Sequence, residues 1–335
     1  MKALILNSGL GHRMGVLTSE HPKCMTEISA TDTILSRQLK LLKDVGINEI
    51  VMTTGYYDQV LIDYCESLDL DLKISFVKNP IYDKTNYIYS MYCAREYLDD
   101  DIVLMHGDLV FEYEVLEKLV AFDGSCMKVS STIPLPQKDF KAVIKDNMVS
   151  KVGIEFFDDA MEAQALYKLN REDFKVWLDK IIEFCESGNT NCYAEVALNE
   201  VSENVHIHAM DVEDKLCTEI DTPEDLAVVA EKVKEISNRT VYMVFSTDTV
   251  HSGHIAIINR AARYGKLIVG VLSDNVVASY KRFPLLPCEE RVCLFKAISG
   301  VSKVVVQDTL SYSNNLRLLK PTYVVHGDDW VEGFQ

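Results

Sequence analysis

The chain has 335 residues, 48% of them hydrophobic and 25% charged, which is globular usage and excludes a disordered chain. Its formal net charge is −17, which argues against nucleic acid as a partner, because phosphate backbones are held by Lys and Arg. The length favours two domains of ~150 residues over one, and no apolar run reaches the ~18 residues of a membrane-spanning helix.

Residues 2–6 (KALIL) read as a short buried strand. The apolar stretch stops at Asn7, too short for a signal-peptide core, so the expectation is a cytoplasmic protein with no integral membrane segment. A glycine loop follows over 9–15. Leu and Val recur at helical spacing over 35–45, closed by Gly46. Next come a strand at 49–54, Gly55-Tyr56, a helix over 58–67, a strand over 72–77, a helix over 87–97 and a strand over 102–106. This alternation predicts a mainly parallel sheet with helices on both faces. Residues 127–155 alternate between turn residues and read as antiparallel additions. Helices are expected over 171–186 and 224–236, the second opened by Asp221-Thr222-Pro223, where proline suits a first turn.

The alternation restarts at 241–245 (VYMVF), with a helix over 255–264, a strand over 267–273, a helix over 289–298, and strands at 303–307 and 322–327. From Thr240 onward Lys and Arg slightly outnumber Asp and Glu, so the acidity lies ahead of that point. The shift places a boundary near Asn238 and gives domains of 1–237 and 240–335. The 9 cysteines show neither CxxC pairs nor zinc-ligand spacing and read as reduced thiols.

Three features of the first part carry chemistry. In Leu6-Asn7-Ser8-Gly9-Leu10-Gly11-His12-Arg13-Met14-Gly15, glycines let backbone N–H groups approach phosphate oxygens. Arg13 and, after Pro22, Lys23 add positive charge. Asp108, in His106-Gly107-Asp108, ends a parallel strand and faces the crevice where α/β sheets bind ligands, though alone it equally suits a cap for a helix over 113–122. Asp221 either caps the helix after it or joins Asp108. Two strand-end carboxylates with a cationic glycine loop are the set that metal-assisted phosphoryl chemistry needs.

The segment LNSGLGHRMG with Pro22-Lys23 resembles the signature of the sugar-phosphate nucleotidyltransferase superfamily. NPIYDKTNYIYSMYCAR at 79–95, HGDL and EIDTPEDL resemble its branch of phosphocholine and 2-aminoethylphosphonate cytidylyltransferases, across about residues 1–237. The common loop begins Ala-Ala-Gly, where this chain has Asn7-Ser8-Gly9. The resemblance implies a Rossmann-like, mixed but mainly parallel α/β nucleotidyltransferase domain. It implies CTP as donor, Mg²⁺ on Asp108 and Asp221, Arg13 and Lys23 on the phosphates, and release of pyrophosphate. It places Leu6, Asn7, Ser8, Gly9, Gly11, Gly55, Tyr56, Asn86 and Ser90 around the nucleotide. The expected acceptor is a small phosphonate, 2-aminoethylphosphonate first, with phosphocholine as the alternative and a non-catalytic nucleotide-binding scaffold as the reading from another class. An aminoethyl or choline head calls for a carboxylate or an aromatic face. Tyr193 and Glu195 share a face if their segment is a strand, Trp177 is another aromatic, and Lys141 is a candidate for the acceptor phosphonate.

In the second part, Phe245-Ser246-Thr247-Asp248 leads to His251-Ser252-Gly253-His254 at a helix start. Such histidines donate to phosphates, Gly253 admits the nucleotide, and a helix N-terminus favours anions. VFSTDTVHSGHIAIINRAARYGKLIVGVLSD, Arg291 and HGDDW (326–330) resemble the glycerol-3-phosphate type of cytidylyltransferase over about 240–335, in particular the domain fused ahead of phosphoenolpyruvate mutase. The resemblance implies a smaller Rossmann-like domain with an HxGH motif and nucleotide contacts at His251, Gly253, His254 and Arg291. It also implies a mutase domain in a longer protein. The family's Arg-x-x-x-Ile-Ser-Ser/Thr-Thr segment does not occur in these residues, and Ser246-Thr247-Asp248 stands where active members carry a Gly-Thr-Phe-Asp-like stretch. A second domain incomplete at its C-terminus, without turnover of its own, is therefore expected.

Overall fold

The computed structural model describes residues 1–9 and 11–326; Leu10 of the glycine loop and residues 327–330 of the HGDDW stretch lie outside the described residues. The chain divides into two compact units, Met1–Lys232 and Val233–Gln335.

The first unit opens with β1 (Lys2–Leu6), α1 (Ile34–Asp44), β2 (Glu49–Thr54), α2 (Asp58–Ser67), β3 (Lys73–Lys78), α3 (Tyr87–Ala94) and β4 (Ile102–His106). β1 pairs in parallel with β2 and β4, and β2 with β3. Ala3, Leu4 and Ile5 are fully buried, as expected of a central parallel strand covered on both faces. Between β1 and α1 lie two 3₁₀ turns, His12–Thr18 and Lys23–Met25, which carry the loop cations. A capping box starts α1: the Thr33 hydroxyl accepts the Ser36 N–H, and the Ser36 hydroxyl accepts the Thr33 N–H.

The unit continues with β5 (Leu109–Phe111), α4 (Tyr113–Ala121), β6 (Ser125–Ser130), β7 (Lys141–Lys145), β8 (Met148–Gly153), β9 (Ala160–Leu169), α5 (Arg171–Glu186), α6 (Ala194–Val201), β10 (Ile207–Asp211), β11 (Cys217–Glu219) and the larger part of α7 (Pro223–Asn238). Nine strands form one sheet in the order β3-β2-β1-β4-β9-β6-β10-β8-β7. β7 and β8 are a hairpin turned by Asp146 and Asn147, both at positive φ, the chemistry a tight hairpin turn requires. β9 runs antiparallel between β4 and β6. It is a strand that the sequence does not announce, because AMEAQALYKL lacks the β-branched pattern of a strand and its neighbours decide its conformation. β5 and β11 form a separate antiparallel ribbon.

The second unit contains β12 (Thr240–Phe245), α8 (Ser252–Ala261), β13 (Lys266–Leu272), α9 (Asp274–Ala278), α10 (Cys288–Lys296), β14 (Val301–Gln307), α11 (Ser313–Leu319) and β15 (Tyr323–Val325). Its four strands are all parallel, in the order β14-β13-β12-β15. Val241, Met243, Phe245, Ile258, Val269 and Phe295 fill its core. Among the described residues no helix is long and apolar enough to cross a membrane.

Candidate active site

Asp108 follows β4, and Asp221 follows β11 by one residue. The β5/β11 ribbon brings them together: Glu219 lies opposite Leu109, and the Ile220 N–H donates to the Asp108 carbonyl at 3.1 Å. Lys23 Nζ lies 2.6 Å from Asp108 Oδ2 and 2.6 Å from Asp221 Oδ1. Arg13 Nη1 holds the other Asp221 oxygen at 2.7 Å. These groups line a cleft of about 340 Å³ together with Leu6, Asn7, Gly9, Gly11, His12, Pro22, Cys24 and Gly107. Burial alone would lower the Lys23 pKa, but Asp108 and Asp221 outweigh it and raise the value, so the ammonium stays charged. Burial likewise opposes ionisation of Asp108, yet the charges of Lys23 and His106 hold its carboxyl below the usual range. Cys24 is pushed well up by burial, so it stays a thiol and offers no nucleophile.

The glycine loop is held by close approach. A Cβ on Gly107 would fall 1.5 Å from Asn7 Oδ1, and one on Gly55 would fall 2.3 Å from the Ser8 carbonyl oxygen. Only glycine lets the ends of β2 and β4 nest against Asn7-Ser8. The Asn7 N–H donates to Thr53 Oγ1 at 3.1 Å. Among the described residues, its buried Nδ2 has no partner.

The other expected contacts divide. Ser90 is fully buried, and its hydroxyl meets that of Ser8 at 2.6 Å; it braces the loop from behind rather than lining the cleft. Asn86 caps α3 by accepting the Tyr87 N–H. Tyr56 lies with Tyr57, Tyr82 and His12 in a neighbouring recess of about 490 Å³. Trp177 is a core residue, wholly buried with Nε1 donating to the Ala194 carbonyl at 2.9 Å, which removes it from the acceptor set. Lys141 is also buried and donates to the carbonyls of Pro136 and Asp139 at 2.6 and 3.1 Å, so its ammonium is already committed. The segment of Tyr193 and Glu195 is not a strand: Tyr193 is the N-cap of α6. Glu195 is buried and accepts hydrogen bonds from the Tyr87 and Tyr167 hydroxyls. Tyr193 is part-exposed, with Tyr87 at 5.9 Å and Phe140 at 5.1 Å between ring centroids.

In the second unit a recess of about 650 Å³ is lined by Ser246, Thr247, Asp248, His254, Lys281 and Arg282 among others. His251 and His254 stack at 3.9 Å. His251 Nδ1 accepts the Gly253 N–H at 3.1 Å, and His254 Nδ1 accepts the His251 N–H at 3.4 Å. In neutral rings this leaves the proton on each Nε2, a donor suited to a phosphate. Arg291, expected at the nucleotide, is instead buried away from the recess, with Nη2 on Asp274 Oδ1 at 2.6 Å and Nε on the Leu286 carbonyl at 3.1 Å.

Residues 3–127 match the MobA-like NTP transferase domain family, and 246–335 match the cytidylyltransferase-like family. The chain is a nucleotidyltransferase. It is 29% identical over 258 residues to a CTP:phosphoglutamine cytidylyltransferase of Campylobacter jejuni, covering 69% of this chain and 100% of that one. It is 32% identical over 165 residues to a CMP-5'-(3-aminopropyl)phosphonate synthase of Streptomyces rubellomurinus, covering 49% of this chain but only 26% of that one. The solved structure of a CTP:phosphocholine cytidylyltransferase from Streptococcus pneumoniae superposes with a TM-score of 0.54 at 19% identity, covering 69% of this chain and 98% of that one. At that identity the likeness is one of fold.

Two further residues, missed from the sequence alone, stand beside the carboxylates of the first unit. His106 Nδ1 and Glu219 Oε1 lie 2.8 Å apart beside Asp108. Burial disfavours a charged imidazole there, but the Glu219 hydrogen bond and nearby carboxylates raise His106 to about 9. The signal was present: a histidine ends the strand before Gly107-Asp108, and a glutamate stands two residues before Asp221. In the second unit, the adjacent cations Lys281 and Arg282 were equally legible and equally missed. For a divalent ion, Asp108 and Asp221 supply the hard carboxylate oxygens Mg²⁺ prefers, and they already converge on one cation. His106, Asp108 and Glu219 also place a ligand atom each within 4.8 Å of one another. The donor set fits.

Proposed function

We propose that the first unit transfers CMP from CTP to an anionic oxygen of a small phosphonate, 2-aminoethylphosphonate first and phosphocholine as the alternative. The observation that carries this reading is the contact set of Lys23 and Arg13 on Asp108 and Asp221 beside a glycine loop. The acceptor oxygen is already ionised, so the step needs no general base. It forms a bond to the α-phosphorus as the bond to the β-phosphate oxygen breaks and pyrophosphate leaves. Two anions must meet, so the work is neutralisation and positioning. Asp108 and Asp221 would hold Mg²⁺, which supplies charge neutralisation to the reacting oxygens. Arg13 and Lys23 bind donor phosphates, Asn7 Nδ2, without a partner among the described residues, is proposed to donate to the nucleotide, and the loop backbone frames it. The rings of Tyr87 and Tyr193, with the Glu195 charge behind them, are proposed to receive a cationic acceptor head.

We also propose cytoplasmic action. The mutase expected from the resemblance is tested by the gene sequence beyond Gln335. The catalytic proposal is tested by pyrophosphate release with CTP, Mg²⁺ and a panel of 2-aminoethylphosphonate, 2-hydroxyethylphosphonate and phosphocholine. Faster release with an amine-bearing phosphonate supports the reading; CTP binding without release for any acceptor would make the unit a scaffold.

A further inference from the structure

We infer that Lys23 is the resident counter-cation of the metal site, and that a divalent ion takes its place between Asp108 and Asp221 as Lys23 moves to the triphosphate. This rests on the proposed reading of that pair as metal ligands. One ammonium touches both carboxylates at 2.6 Å, and Arg13 occupies a further Asp221 oxygen. Two carboxylates facing two cations already balance. Adding a divalent ion without displacing either would concentrate positive charge in a part-buried cleft, where side-chain exposure is 12% for Lys23 and 16% for Asp221. A triphosphate brings the negative charge that gives the displaced cations somewhere to go.

The chain is built for that exchange. The Lys23 backbone is pinned in a short turn, where the Met25 N–H donates to the Pro22 carbonyl and the Thr26 N–H to the Lys23 carbonyl, both at 3.0 Å. The side chain is a point charge on a flexible four-carbon stem, so it can swing while the turn stays fixed. Arg13 is two-thirds exposed and equally able to turn. Metal and nucleotide binding then reinforce each other, each raising the other's affinity by the same factor. Nucleotide-free protein should bind a divalent ion poorly.

The test is Mn²⁺ binding to nucleotide-free protein, read from the free-ion electron paramagnetic resonance signal. Lys23→Gln should bind one Mn²⁺ at least tenfold more tightly than wild type although its turnover falls. Adding Asp108→Asn should abolish that gain. Equal or weaker binding by Lys23→Gln would overturn the inference and leave the catalytic reading standing. A gain that survives Asp108→Asn would instead remove Asp108 from the metal site and take the inference with it. If Lys23→Gln does not fold, wild type gives the answer: Mn²⁺ alone should speed acylation of Lys23 by an amine-reactive anhydride, read by peptide mass. Unchanged acylation at saturating Mn²⁺ would contradict the exchange.

Discussion

The two units carry two kinds of phosphate-facing motif, and their side chains are committed differently. In the first, the motif charges hold one another between distant segments: Arg13 of the glycine loop and Lys23 of the turn after it grip carboxylates that follow β4 and β11. In the second, the motif histidines cap their own helix, and Arg291 is spent on Asp274. Asp248, on the rim of that recess, is tied to Arg282 and the Leu285 N–H. In the first unit the loop cations and the two carboxylates converge on one cleft, whereas in the second the two histidines hydrogen-bond within their own helix start. This contrast is why transfer is proposed for the first unit and nucleotide contact for the second.

The sharpest way to break this comparison is to remove a carboxylate. Asp108→Asn or Asp221→Asn should lower turnover more than tenfold while the fold persists, because the metal loses a charged ligand and Lys23 loses a partner. Near-normal turnover in a folded variant would take that residue out of the site. Lys23→Ala should cut kcat/KM about tenfold or more, since transition-state charge goes unneutralised. It should also lower the Tm by leaving two carboxylates facing each other, and added Mg²⁺ should restore part of that loss. A Tm deficit indifferent to Mg²⁺ would mean that Lys23 is a structural bridge alone.

A smaller effect sharpens the acceptor end. Tyr193→Ala should raise KM for 2-aminoethylphosphonate by about twofold to thirtyfold, as a cation–π contact of roughly 0.5–2 kcal/mol would give, and leave KM for methylphosphonate unchanged. Equal changes for both acceptors would dissociate Tyr193 from the cationic head. The smallest effect is on stability. His106 is raised to about 9 from the ordinary 6.5 of a free imidazole. A raised folded-state value stabilises the protein fully below about pH 6.5 and ceases to do so as pH rises through about 9. The Tm gap between wild type and Glu219→Gln should therefore narrow from about pH 6 to about pH 10. A constant gap would mean that the pair contributes through packing.

What was legible in the sequence follows from how each feature is encoded. β1, β2, β4, α2 and α5 have residue-level signals of their own, apolar runs or helical spacing, and they stand where those signals placed them. β9 has none, because its pairing with β4 and β6 is imposed by neighbours far along the chain. The same division holds at the site. Arg13, Lys23, Asp108 and Asp221, marked in the sequence by charge in or after a glycine loop and beyond strand ends, are brought into one contact set. Trp177, Lys141 and Ser90 were misplaced because a residue type says nothing about burial. His106 and Glu219 each stand two residues before a candidate carboxylate, but their pairing needed the β5/β11 ribbon, whose three-residue strands carry no periodicity.

Pyrophosphate release with CTP, Mg²⁺ and 2-aminoethylphosphonate or 2-hydroxyethylphosphonate, compared between two double variants, addresses the central claim most directly. Asp108→Asn/Asp221→Asn should abolish release, and His251→Ala/His254→Ala should keep most of it. Release that persists in the first variant and disappears when the histidine changes are added would place the chemistry in the second unit and contradict the account.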